Sequence, residues 1–366
     1  MRQLFAFEFC TAVSAISVMS FKKTLDGTQI LEILQPLLVS VSGDHKTTAQ
    51  HPRPPELADS DSVVFIGSQS HKDKLKSKAS IIVAKEGFLL EASDAHFVVF
   101  VKNTQLAMAK VLEFFDQKTF DFHSSLHPTA VISPKAKLGK DVTVGAFSVI
   151  GDYCEIADGC QIGHHVTLSA HSKVGKGTLI HSFVFLGHHC EIGSHCEIFN
   201  HTTIGSDGFG YVPGDPNTKI PQVGTVIIED NVSVGAQCTV NRASIYETRI
   251  RKGTKIDDHC HFAHNVDVGE NSLIAGGFFI AGSSKTGKNL MVGGTVAVSD
   301  HVNITDHVTL GGRSAVTADV REPGAYTGFP LEPIKRGIKN LQAFKFLHEI
   351  RMDLKKLKEE HLNSKK

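Results

Sequence analysis

The chain has 366 residues, 41% of them hydrophobic, and its 38 basic and 38 acidic side chains cancel to no formal charge at pH 7. That balance excludes a bulk electrostatic pull toward nucleic acid or an anionic membrane, so a charge-steered partner must dock on a local patch. No stretch has the roughly 18 uninterrupted apolar residues of a membrane span, which leaves at most peripheral membrane contact.

Residues 1–19, "MRQLFAFEFCTAVSAISVM", carry Arg2 near the start and small residues around Ala15, as a secretory leader does, yet Glu8 interrupts the apolar run. The favoured reading is a mis-assigned start, with Met19 as the true one, because "SFKKTLDGTQILEILQPL" then opens an ordinary domain with an amphipathic helix. Residues 20–118 form a small α/β domain: "SVVFIG", "ASIIVA" and "HFVVFV" suit strands, and "TQLAMAKVLEFFDQ" has helical spacing after the polar "KN".

Residues 119–322 follow a beat of six. Aliphatic residues stand at Leu126, Ile132, Leu138, Val144 and at every sixth position to Ile204. The beat continues at Ile228, Val234 and Val240, slips by four residues, and resumes from Ile250 through Phe262, Val268, Ile274 and Ile280 to Val316. This is the hexapeptide repeat of a parallel β-helix: each unit gives one short strand, three give a triangular coil, and the aliphatic side chain stacks inward on its equivalent in the next coil. Coils rise by about 4.8 Å, the spacing of neighbouring strands. Periodicity does not give the handedness. One insertion, residues 205–224, is rich in Gly and Pro and carries Phe209 and Tyr211; it leaves the rod as a loop, to carry function or to clasp a neighbouring subunit.

Residues 323–366 form a C-terminal helical extension. Ile334, Ile338, Leu341, Phe344, Leu347, Ile350, Leu354 and Leu357 recur three or four apart after Pro333, which predicts one long amphipathic helix packed on the prism or on copies of itself. The seven cysteines include no CxxC pair, and those spaced by six belong to the repeat; they read as reduced, structural thiols of a cytoplasmic protein, with no metal site.

Chemistry is sought where coils stack. Adding 18 to 264 gives Gly282, and adding 18 and 36 to 265 gives Ser283 and His301, so His264 and Gly282 share one column while Asn265, Ser283 and His301 share the next. An imidazole there can act as a base, a glycine leaves its N–H open to an oxyanion, and Asp257 is a candidate to hold the imidazole's other nitrogen. The plainer reading is that a corner histidine, one of 21 in the chain, is solvated or packs between subunits. The group His188, His189 and His195 raises a metal between subunits as a further alternative.

The phrases "GSDGFGY", "KIPQVGTVIIEDNVSVGA", "DDHCHFAHNVDVG", "LIAGGFFIAGS" and "GGTVAVSDHVNI" resemble the UDP-3-O-acylglucosamine N-acyltransferases of lipid A biosynthesis, over about residues 60 to 340. That resemblance implies a left-handed β-helix, a homotrimer with sites in grooves between subunits, and transfer of an (R)-3-hydroxyacyl group from acyl carrier protein to the 2-amine of a UDP-linked, 3-O-acylated glucosamine. It needs no cofactor. It also implies roles: His264 as general base, Asp257 as orienting acid, Gly282 as oxyanion donor and His301 as second active-site histidine. The N-terminal domain would grip uracil, with Phe65 matching a stacking aromatic. Ser68 and His71 stand where the family usually has Asn and Tyr, and Asn241 and His261 are further departures. The basic C-terminal segment matches an arm that meets acidic carrier protein. Rival readings are a related nucleotide-sugar O- or N-acyltransferase, a metal enzyme of the carbonic anhydrase type on the same prism, and a non-catalytic trimeric β-helix scaffold.

Overall fold

The computed structural model describes residues 23–75, 78–90, 94–116, 125–327, 339–340 and 342–363. The leader or start at 1–19 lies outside them. The chain divides into two compact units, Met1–Thr119 and Phe120–Lys366.

In the first unit a five-stranded sheet runs in the order Leu38–Gly43, Ala95–Val101, Ala79–Lys85, Ser62–Ile66, His51–Pro52; only the first strand is antiparallel to its neighbour. Its central strands are apolar on both faces because both are covered. Val63, Ile81, Val83 and Val99 pack under helices Gly27–Leu34 and Thr104–Phe115, while Val64, Ile66, Ile82 and Ala84 fill the opposite core. Local chemistry starts each helix. Asp26 and Gln29 form a reciprocal capping box, and the Asn103 side chain accepts from Leu106 N–H, so the polar "KN" stops one element and begins the next.

The second unit is a left-handed parallel β-helix with sheets of ten, ten and nine strands. Pairing is offset by one coil throughout: Ile162 stands on Ile180, Ile180 on Ile198, and Leu168 on Leu186. Stacked aliphatic side chains fill the interior from Val144 to Leu310. The corners need one residue per turn in the left-handed region, a conformation that non-glycine residues adopt at a cost. Histidine and asparagine hold many of them, among them His165 (φ 54°), His201 (φ 61°), Asn265 (φ 62°) and His301 (φ 56°). At one corner the rings of Phe147, His165, Phe183 and His201 form a ladder with centroid steps of 5.1, 4.9 and 4.8 Å, so rings stack at the coil spacing.

The loop 205–224 departs after Ile204 and carries its own two-stranded ribbon, Tyr211–Val212 against Thr218–Lys219; the prism resumes where Ile228 pairs with Ile192. One expectation needs correction. Pro333, Ile334, Ile338 and Leu341 lie outside the described residues, and the C-terminal helix is not continuous within them. At Lys345 and Phe346 the backbone N–H groups bond three residues back, to Gln342 and Ala343, and a turn there precedes the helix Leu347–Asn363. Its side chains described through His361 are all exposed.

A cavity in the middle of the stack has no neighbouring loop that can fill it. Ile198→Ala, at a fully buried position, is expected to destabilise the β-helix by about 2–5 kcal/mol, read as a lower denaturation midpoint.

Candidate active site

One corner of the prism collects every irregularity of the repeat. Successive coils cross it between Ile204 and Ile228, where the insertion lies, and between Val240 and Ile250, where the four-residue slip lies. The next three crossings, after Phe262, Ile280 and Val298, carry His264, Gly282 and His301. Backbone bonds fix the stacking: Ser283 N–H donates to His264 O at 2.9 Å, and His301 N–H to Gly282 O at 3.0 Å.

His264 is half-buried, and the left-handed turn falls on the next residue, Asn265, which tolerates it. Asn265 has a second task. Its Nδ2 donates to Ile245 O at 2.8 Å and its Oδ1 accepts Ser244 N–H at 3.1 Å, which settles the orientation of the amide. The same Oδ1 lies 3.2 Å from His264 Nδ1. An amide oxygen only accepts, so Nδ1 carries the hydrogen and Nε2 of the neutral ring keeps its lone pair.

Two glycines frame that ring. A Cβ on Gly282 would stand 2.7 Å from Nε2, and one on Gly208, in the insertion, 2.8 Å from the His264 Cβ and 3.0 Å from its Cδ2. Any side chain at either place would collide with the imidazole. Among the described residues the Gly282 N–H donates to no protein acceptor, while its carbonyl is taken by His301.

The insertion is fastened at both ends by Arg242, a fully buried side chain that sequence reasoning passed over. Its Nε donates to Gly205 O at 2.8 Å and its Nη1 to Gly224 O at 3.3 Å, while Nη2 donates to His188 O at 3.0 Å. Nη1 also meets the His188 ring at 2.9 Å; burial, and then the guanidinium charge, hold the His188 pKa below its usual value, so the ring stays neutral and accepts. Gln222 and Ser244 were passed over too. The corner itself was marked, because both breaks in the six-residue beat fall on it, but the beat does not single out these three side chains.

The remaining candidates are distributed as follows. Asp257 does not orient His264 within the chain: its Oδ2 accepts Gly276 N–H at 3.0 Å at the preceding corner. Seven residues along a hexapeptide coil is one face plus one, which sets the carboxylate a corner away, and Asn265 takes the Nδ1 position instead. Ser283 lies between Asn265 and His301 in their column, and His301 is exposed. Phe209 and Tyr211 stand out on the insertion with ring centroids 5.2 Å apart and are 84% and 45% exposed, a wet aromatic surface rather than a core. Phe65, Ser68 and His71 come together in the first unit, at and just beyond the carboxyl end of the parallel strand Ser62–Ile66, where open α/β sheets bind ligands. There Ser68 Oγ meets Ser70 Oγ at 3.0 Å, and His71 Nδ1 accepts Gly67 N–H at 3.4 Å.

Other histidines are occupied structurally. His189 stacks on His171, and His188 serves Arg242. Among the described residues no group of three His, Cys, Asp or Glu side chains is placed to hold a metal ion. The six described cysteines are buried and unpaired, with Sγ groups such as Cys160 donating to carbonyl oxygens, here Gly175 O at 3.0 Å.

The prism is that of a hexapeptide-repeat protein, and its curated relatives are acyltransferases. A family profile for the GMPPB C-terminal domain matches residues 126–208, within the prism. The UDP-3-O-acylglucosamine N-acyltransferase of Christiangramia forsetii is 46% identical over 261 residues, covering 70% of this chain and 75% of the relative. That of Methylococcus capsulatus is 37% identical over 156 residues, 42% of this chain and 44% of the relative, so this match spans less than half the relative's length. The crystal structure of LpxA from Acinetobacter baumannii aligns over 59% of this chain and 77% of its own at 22% identity, with a TM-score of 0.43. The chain belongs to the UDP-3-O-acylglucosamine N-acyltransferase family.

Two outcomes are expected here. Arg242→Met removes the clamp on Gly205 and Gly224, so trypsin should cut at Lys219 faster than in the native chain while the thermal unfolding of the prism changes little. His261 is held below its usual pKa by burial, so its charging opposes folding: its contribution is complete above the unfolded-state pKa and is lost as pH falls through the lowered folded one. His261→Gln should therefore flatten the loss of stability below about pH 6.5 in acid titrations followed by circular dichroism.

Proposed function

We propose that this chain transfers an (R)-3-hydroxyacyl group from acyl carrier protein to the 2-amine of UDP-3-O-(3-hydroxyacyl)-glucosamine in lipid A biosynthesis, with His264 as general base. One observation carries the reading: Asn265 Oδ1, an acceptor, lies 3.2 Å from His264 Nδ1, which leaves Nε2 as the basic nitrogen, and the imidazole packs against the side-chain-free Gly282.

The amine nitrogen attacks the thioester carbonyl carbon. Its proton passes to His264 Nε2, and the oxyanion forms within reach of the Gly282 N–H. That attack forms the C–N bond; collapse of the oxyanion restores the carbonyl and breaks the C–S bond, and the imidazolium returns its proton to the departing thiolate. An amine near neutrality is already nucleophilic, so direct attack in a ternary complex suffices and no cofactor is required. Cys160, Cys190 and Cys196 are poor candidates for an acyl-enzyme: burial raises the pKa of Cys160 and Cys190, and that of Cys196 to about 11.

Ser283 and His301, one and two coils beyond Asn265, extend the site along the groove. Phe65, Ser68 and His71 are assigned to the uracil nucleotide, and Phe209 and Tyr211 to the lipid-bearing acceptor. The active unit is proposed to be a homotrimer in the cytoplasm, in which Asp257 serves the groove shared with a neighbouring copy. The exposed Lys345, Lys355, Lys356 and Lys358 support steering of the acidic carrier protein. No helix among the described residues is long and apolar enough to cross a membrane.

Transfer from 3-hydroxyacyl carrier protein to the UDP-sugar tests this. His264→Ala should lower the rate at least about 100-fold with the fold intact, whereas a native protein without activity would overturn the assignment. Gly282→Ala, whose methyl would stand 2.7 Å from Nε2, should abolish transfer to a similar extent while leaving UDP-sugar affinity near native.

A further inference from the structure

We infer that the insertion 205–224 sets the state of His264, and that Gln222 is the positioning residue through which it does so. The inference rests on the reading of His264 as the base.

Gln222 belongs to the returning leg of an insertion whose residues 211–221 are all exposed, yet it is itself only 6% exposed. Its amide is used on both sides. Nε2 donates to Ile220 O at 3.0 Å, and Oε1 accepts Ser244 Oγ–H at 2.8 Å. Ser244 is held beside it by a backbone bond, Val223 N–H to Ser244 O at 3.0 Å. The Ser244 N–H then donates to Asn265 Oδ1, the atom that faces His264 Nδ1. A second route is steric. The outgoing leg passes so close that a Cβ on Gly208 would lie 3.2 Å from Gln222 Oε1 and 2.8 Å from the His264 Cβ. One buried amide thus touches both legs of the insertion, and each leg reaches the imidazole.

The consequence is specific to the proton. Asn265 Oδ1 lies within reach of two donors, Ser244 N–H and His264 Nδ1–H. Two ties aim the Ser244 N–H, the backbone bond from Val223 and the side-chain bond to Gln222, and the second is the one that fixes the Ser244 side chain. With that tie cut, only the bond from Nδ2 to Ile245 O still opposes a turn of the Asn265 amide; the turned amide presents its NH2 to Nδ1, which places the hydrogen on Nε2 and removes the lone pair needed for catalysis. The insertion therefore links acceptor binding on its outer face to the tautomer of the base within.

The test reads the imidazole directly. Full-length protein labelled with 15N-histidine, its His264 signals assigned by difference against His264→Gln, is compared with Gln222→Met, Ser244→Ala and the double variant at pH 8. Gln222→Met keeps the volume and removes only the acceptor and donor. The expected result is Nδ1–H in the native protein, a shift toward Nε2–H in each single variant, and no further shift in the double variant, because both cut one bond. If about one molecule in ten retains Nδ1–H, kcat falls about tenfold with KM for the UDP-sugar unchanged. A native His264 in the Nε2–H form, a Gln222→Met spectrum identical to native, or additive shifts in the double variant would each overturn the inference. The spectra need no turnover, so failure of the acyl-transfer reading would show separately, as a native protein with the stated tautomers and no activity.

Discussion

Everything in the larger unit depends on parallel pairing at a fixed offset of one coil. With Ile162 on Ile180 and Ile180 on Ile198, each inward side chain meets its own equivalent, and each outward side chain is held at the spacing of the coils. A single register thus builds the core and, at the corners, turns sequence distance into spatial order. Coil-to-coil bonds carry His264, Gly282 and His301 into place with no element devoted to the purpose. Corner residues must accept left-handed backbone, and here the chain joins the two demands: Asn265 makes the turn and, with the same side chain, fixes the proton of the histidine before it.

Much of this was legible in the residues. A beat of six specifies strand, turn and coil at once, so the columns containing His264 with Gly282 and Asn265 with Ser283 and His301 follow by addition. The strands of the first unit were legible for a different reason: their apolar runs are bounded by capping residues such as Asn103. What could not be read lies where the beat stops. The insertion has no periodicity of its own, so nothing in the sequence placed Gln222 beside Ser244 or Arg242 under both ends of the loop. Asp257 shows the opposite error. Proximity of seven residues in the chain suggested contact, but on a triangular coil it means a different corner.

Polar chemistry at this corner is concentrated in groups that carry hydrogen bonds rather than in charge pairs. Arg242 is buried against carbonyl oxygens and a neutral histidine, and the imidazole of His264 is oriented by an amide rather than by a carboxylate. An amide partner places no formal charge beside the ring, so its orientation comes from hydrogen-bond geometry alone.

The length of the insertion has an implication of its own. Ile204 and Ile228 are adjacent inward positions of successive faces separated by 24 residues instead of six, so the detour adds 18, the length of one whole coil. Both ends return to the same corner, pinned by a single guanidinium. A lineage that lost or gained this segment would keep its hexapeptide phase on either side, and the rod would close over the gap without a frame error in its stacking. The loop is thus a detour of one coil's length that leaves the stacking register unchanged on either side.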